Sequence, residues 1–117
     1  MMIGPAEETL MIARTWHGRV VTEKADAYLN YLKRTGLHDF RATPGNMGVY
    51  VLRRDEGGIT HYMVTTLWTS MDSVKSFAGD DPARARYYPQ DDEFLLEREP
   101  LVQHFEVLMA VTGPPTA

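Results

Sequence analysis

Apolar positions along the chain recur at two different spacings, and the places where one gives way to the other mark the elements. From Leu10 to Arg19 the run LMIARTWHGR mixes apolar, β-branched and aromatic residues over a strand's length, which predicts a first strand. The spacing then lengthens. Ala25, Tyr28, Leu29 and Leu32 recur at helical intervals, with Glu23 and Asp26 early and Lys33 and Arg34 late, so a helix is predicted from a Thr22 cap to about Thr35, stopped by Gly36.

Two β-rich runs, MGVYVLRRD and ITHYMVTTLWTS, flank the Gly57-Gly58 pair and read as a hairpin. Ser70 can cap a second helix with Met71, Val74, Phe77 and Ala78 on one face, ending near Gly79. Asp81 followed by Pro82 predicts a further helix start, ARARYY a brief helical turn, and Pro89 to Leu96 another short helix. LVQHFEVLMAV, Leu101 to Val111, reads as the last strand, and TGPPTA as a frayed tail.

This order is the split βαβ arrangement of an α+β, ferredoxin-like fold: an antiparallel sheet with the last strand beside the first, and both long helices on one face. The last strand is apolar on both sides, with Val102 and Leu108 on one and Leu101, Phe105, Val107 and Met109 on the other. The face without helices is therefore expected to meet a second copy, giving a homodimer through the sheet face, a dimeric α/β barrel.

A length of 117 residues suits a single domain, 1–117, with its core at about 10–111. A composition of 44% hydrophobic and 24% charged residues is that of a globular protein, and a net charge of -4 argues against nucleic acid or anionic membrane as partners. The absence of cysteine excludes disulfides, thiolate zinc sites and a cysteine nucleophile. With neither a signal-peptide pattern nor an apolar run of about 20 residues, a cytoplasmic location is expected. No phosphate-binding glycine loop, nucleophile elbow or dinucleotide fingerprint is present, so no cofactor is expected from motif.

The segments IARTWHGRV leading into the first helix, TTLWTSMDSVKSF, and the aromatic turn before the last strand together resemble the antibiotic biosynthesis monooxygenase family over roughly residues 10 to 110. The resemblance implies a ligand held between sheet and helices. It also implies one of several activities: cofactor-free conversion of phenols to quinones, haem degradation, or processing of aldehydes and quorum signals. The tryptophan closing the third strand of such proteins matches Trp68, which would place Trp68, Thr66, Val64 and Tyr62 on the pocket side. An asparagine used on that strand by quinone-forming members has no counterpart between Thr60 and Ser70. The two haem markers, an asparagine and a ligating histidine, fall at about Thr15 and Tyr87 and are both replaced.

These positions imply a candidate site: His17 and Tyr87 as catalytic residues, His17 as a base at the pocket mouth, with Thr15, Tyr62, Trp68, Phe77, Arg86 and Tyr88 contacting the ligand. Trp68 and Phe77 also read as core packing. No histidines have the close spacing of a helical zinc motif; topology would bring His17, His61 and His104 to one sheet end, but alternation sets His61 on the side away from Tyr62 and Trp68, and His17 with Thr15 on the pocket side. No metal is expected. Arg14, Arg53 and Arg54 read as strand-edge or interface ion pairs, and Asp91, Asp92, Glu93, Glu97 and Glu99 as a solvated face. The function expected is a cofactor-independent monooxygenase acting on a small hydrophobic or phenolic compound. The alternatives are a non-catalytic ligand-binding dimer and a haem-binding or haem-degrading oxygenase.

Overall fold

A computed structural model describes residues 11–111, and the strands follow the pattern of the sequence closely. They are β1 (Met11–Val21), β2 (Asn46–Glu56), β3 (Ile59–Trp68) and β4 (Gln103–Val107), all antiparallel in the order β2-β3-β1-β4. Gly57 and Gly58 make the hairpin turn with φ of 59° and 82°, a region that side chains with a Cβ rarely enter. β4 is shorter than Leu101 to Val111: Leu101 bridges to Arg84 instead of β1, Val107 faces Met11, and Leu108 to Val111 lie outside the ladder. Leu10 and the tail TGPPTA lie outside the described residues.

The helical layer departs further from expectation. Thr22–Lys24 form a 3-10 turn, and α1 (Ala25–Arg34) follows it; Thr22 does not cap the helix, its hydroxyl accepting instead from Thr60 Oγ1 at 3.0 Å. Gly36 does not stop the chain. It opens α2 (Gly36–Ala42) after a kink at Thr35, whose Oγ1 and backbone N–H both donate to the Tyr31 carbonyl, at 2.8 Å and 3.0 Å. Leu37 and Phe40, at helical spacing, pack α2 against the core. α3 (Met71–Ala78) begins as predicted, with Ser70 Oγ accepting from the Ser73 N–H at 3.2 Å.

After α3 the chain is not helical at Pro82 or through ARARYY. It runs extended, with Arg84 bridging to Leu101, because Ala85 N–H and Val102 N–H donate to the Pro100 and Ala83 carbonyls in a two-chain ladder. A 3-10 turn then spans Pro89–Glu93.

The core lies between one sheet face and the helices. Its centre is aromatic: Trp68 and Tyr62 from β3, Tyr28 from α1, Phe40 from α2 and Phe77 from α3, each large ring removed from water contributing about 2–3 kcal/mol. On the opposite sheet face Tyr50, Leu52, Met63 and Phe105 stay exposed. Among the described residues no helix is long and apolar enough to cross a membrane.

Candidate functional site

Strand pairing decides which side chains can meet a ligand, since directly opposed residues in an antiparallel pair share a face. β1 sets Arg14, Trp16 and Gly18 opposite Thr66, Val64 and Tyr62, so these face the helices. Thr15 and His17 stand opposite Thr65 and Met63, on the other face. The expected pocket-side placement of Thr15 and His17 is thereby corrected. It was anchored on the family position of Thr15; the chain's own alternation runs one residue out of step with it.

On the helix side a small, half-open cleft of about 40 Å³ lies between β1, α1, α2 and the segment after α3. Trp16 and Tyr28 wall it on one side and Phe40 and Phe77 on another, with Arg86, Tyr87 and Tyr88 along the rim. Four of the predicted site residues, Phe77, Arg86, Tyr87 and Tyr88, thus converge here. Tyr62 and Trp68 do not line it: the Tyr62 hydroxyl donates to the Ala25 carbonyl at 2.7 Å, and Trp68 Nε1 donates to Thr66 Oγ1 at 2.7 Å, both within the core.

The rim is tied down by hydrogen bonds. The Tyr87 hydroxyl donates to the Glu99 carbonyl at 2.6 Å and accepts from Trp16 Nε1 at 3.1 Å, which fixes the indole as a wall. Gly18 leaves room for that indole, because a Cβ there would lie 2.3 Å from Trp16 Cη2. The Tyr88 hydroxyl donates to Asp39 Oδ2 at 2.6 Å, and the Arg86 guanidinium stacks 4.7 Å over the Phe77 ring while donating to the same Asp39 oxygen at 3.3 Å. The Tyr88 hydrogen bond, and then the His38 hydrogen bond and the Arg86 charge, hold the Asp39 carboxyl below its usual range.

Two ionisable groups in the cleft were not expected there. Asp91, read as part of a solvated acidic face, is only 4% exposed and lines the cleft. Pro89 starts a turn that swings it inward, where Asp91 Oδ2 accepts the Tyr88 N–H at 2.6 Å and Tyr31 Oη accepts the Gln90 N–H at 3.0 Å. Burial raises the Asp91 pKa above the ordinary carboxylate value, with the Tyr88 N–H opposing it. The spacing of Tyr88 and Asp91, a capping residue and an acid three positions on, was the available sequence signal.

Arg14, read as an ion-pairing residue, is 3% exposed and forms no salt bridge among the described residues. Burial pushes its pKa down to about 10. Arg53 and Arg54 do form ion pairs, with Asp26 and Asp55 and with Glu56.

On the far face His17 Nδ1 lies 2.5 Å from Glu99 Oε2 and His17 Nε2 lies 2.9 Å from His61 Nδ1. Parity therefore brings these two imidazoles together, contrary to expectation, while His104 pairs with Arg14 on the helix side. Among the described residues no group of three or more side chains is arranged to hold a metal ion.

No known family model and no curated protein matches the chain. Solved structures do. A Nitrosomonas europaea protein of unknown function aligns over 92% of this chain and 99% of its own, with a TM-score of 0.62 at 15% identity. A Bacillus cereus protein provisionally named an antibiotic biosynthesis monooxygenase covers 89% and 99%, with a TM-score of 0.60 at 14% identity. MhuD, a haem degrader of Mycobacterium tuberculosis solved with two haems in its active site, covers 86% and 99%, with a TM-score of 0.55 at 22% identity. The chain therefore has the ferredoxin-like α+β fold of the structures grouped as antibiotic biosynthesis monooxygenases.

Proposed function

We propose that the chain is a cofactor-independent monooxygenase that takes a small, largely apolar phenol into the cleft between sheet and helices. The observation that carries this reading is a buried carboxylate, Asp91, set in the wall of a cleft rich in aromatic side chains. A phenol reacts with dioxygen through its phenolate, so the protein must remove a proton in a place that excludes water. Asp91, its basicity raised by burial, is the group placed for that task. His17 is not, because it lies on the opposite face.

In this scheme the phenolic proton passes to Asp91 and the phenolate supplies electrons to dioxygen. One oxygen atom stays as a new ring carbonyl; the other leaves as water with the ring hydrogen and the phenolic proton. Phenol plus dioxygen thus gives quinone plus water. Tyr87 acts as a positioning residue, holding Trp16 through its hydroxyl.

Haem chemistry fits these residues poorly. No histidine lines the cleft, both sides of the Tyr87 hydroxyl are engaged, and burial raises the Tyr87 pKa, opposing the tyrosinate an iron would need.

The exposed Tyr50, Leu52, Met63 and Phe105 form one apolar sheet face, and we assign it to a second copy of the chain, as a two-fold dimer. The activity is tested with 1-naphthol in chelator-treated buffer: dioxygen uptake equimolar with quinone formed is expected, and its loss in Asp91→Asn. Thermal stabilisation by 1-naphthol with no dioxygen uptake would establish a non-catalytic binder instead.

A further inference from the structure

Arg14 sits in the cleft with a charge that nothing in the described chain balances. It is buried, its Nη2 donates to the Arg84 carbonyl at 3.1 Å, and its Cζ lies 5.6 Å from the Phe77 ring centre. Its Nε has no hydrogen-bond partner. Across the β1–β4 ladder its direct neighbour is His104, whose Nε2 is also buried and without a partner. These are the two orphaned buried side-chain atoms among the described residues, and they stand on adjacent strands of the same sheet face.

Leaving such groups empty is costly. A buried guanidinium loses its hydration, and a carbonyl and a ring face replace only part of it. The other charges of the cleft do not help. Arg86 is paired with Asp39, and Asp91 is bound to the Tyr88 N–H and makes no ion pair with Arg14. The remaining lining carries no charge.

We infer that Arg14 forms a subsite for the carboxylate of an aromatic acid whose ring lies between Trp16 and Phe77. A planar carboxylate can take the Arg14 Nε–H. This rests on reading the cleft as a ligand site, and it narrows the substrate to a phenol that also carries an acid group. The acid end is held at Arg14, and the hydroxyl is left for Asp91.

The test compares 3-hydroxy-2-naphthoate with its neutral amide, 3-hydroxy-2-naphthamide, by fluorescence titration at pH 7. The wild-type chain should bind the acid about 10-fold to 100-fold more tightly than the amide, as a charge-assisted hydrogen bond implies. Arg14→Gln should erase that preference, so that acid and amide bind alike; Arg14→Lys should keep part of it. Equal binding of acid and amide to the wild type, or a preference that survives in Arg14→Gln, overturns the subsite while leaving the cleft as a ligand site. Binding of neither compound overturns both readings. Should Arg14→Gln not fold, the wild-type ratio and Arg14→Lys decide the matter.

Discussion

His17 and His61 share a hydrogen bond across β1 and β3, with 2.9 Å between Nε2 and Nδ1, on the sheet face turned away from the cleft. A neutral His17 that donates its Nδ1 hydrogen to Glu99 must accept at Nε2, so His61 donates from Nδ1. The chain of bonds is directional and closed to the cleft. His17→Ala should therefore leave cleft ligand affinity within about twofold of wild type and lower stability by about 1 kcal/mol. Calorimetric titration with 1-naphthol and urea unfolding check the two halves.

Asp91 makes the opposite prediction. Its folded pKa is raised by burial, so its contribution to stability is fully present below the unfolded carboxylate pKa and is lost as pH rises through the folded value. Asp91→Asn removes that loss while its side-chain oxygen can still accept the Tyr88 N–H. Relative to wild type, the variant should gain stability on going from pH 4 to pH 7, measured by urea unfolding at both. A constant difference across that range would show that Asp91 is not a strained carboxylate.

The Asp39 pKa is lowered instead, first by the Tyr88 hydroxyl. That stability is present above the unfolded pKa and is lost as pH falls through the lowered one. Tyr88→Phe should cost about 1 kcal/mol at pH 7, and the deficit should shrink in acid below the unfolded carboxylate range. Unfolding curves of both proteins from pH 7 down to pH 3 test this.

Gly18 makes room for Trp16. In Gly18→Ala the new methyl would sit 2.3 Å from Trp16 Cη2 and 3.0 Å from Leu95 Cδ2, and the indole tip can move more easily than the strand. The indole should swing into the cleft, lowering ligand affinity about tenfold for a stability cost of about 1–3 kcal/mol. Trp16 fluorescence and a ligand titration report the two effects separately.

For the apolar sheet face, the wild type is expected to run as a dimer and Phe105→Glu or Leu52→Asp as monomers, by light scattering at equal concentration. Both side chains are about half exposed on one chain, so folding of the single chain should survive either change.

Strands, hairpin and α3 were legible because their signals are local: alternation, a glycine pair, and a serine three residues before the N–H it caps. α2 was hidden by Gly36, which reads as a stop although Leu37 and Phe40 continue a helical spacing onto the core. Asp91 was hidden by its acidic neighbours. Its burial depends on contacts from Tyr31, 59 positions away along the chain at Gln90, which no local pattern reports. The faces of β1 were legible in principle, since Ile12, Trp16 and Val20 alternate together. Aligning Thr15 with a family position set that alternation aside. Of the residues lining the cleft, the rim was found and its two charged interior groups were not.

Successive residues of β1 serve different neighbours: Arg14, Trp16 and Gly18 the cleft, Thr15, His17 and Arg19 the outer face. Point substitutions can therefore alter the proposed ligand cleft and the proposed dimer face as separate variables. A single-residue insertion or deletion within β1 cannot, because it would exchange the two sets wholesale and send His17 inward and Trp16 outward. Lineages carrying this strand should accumulate replacements along it while its length stays constant.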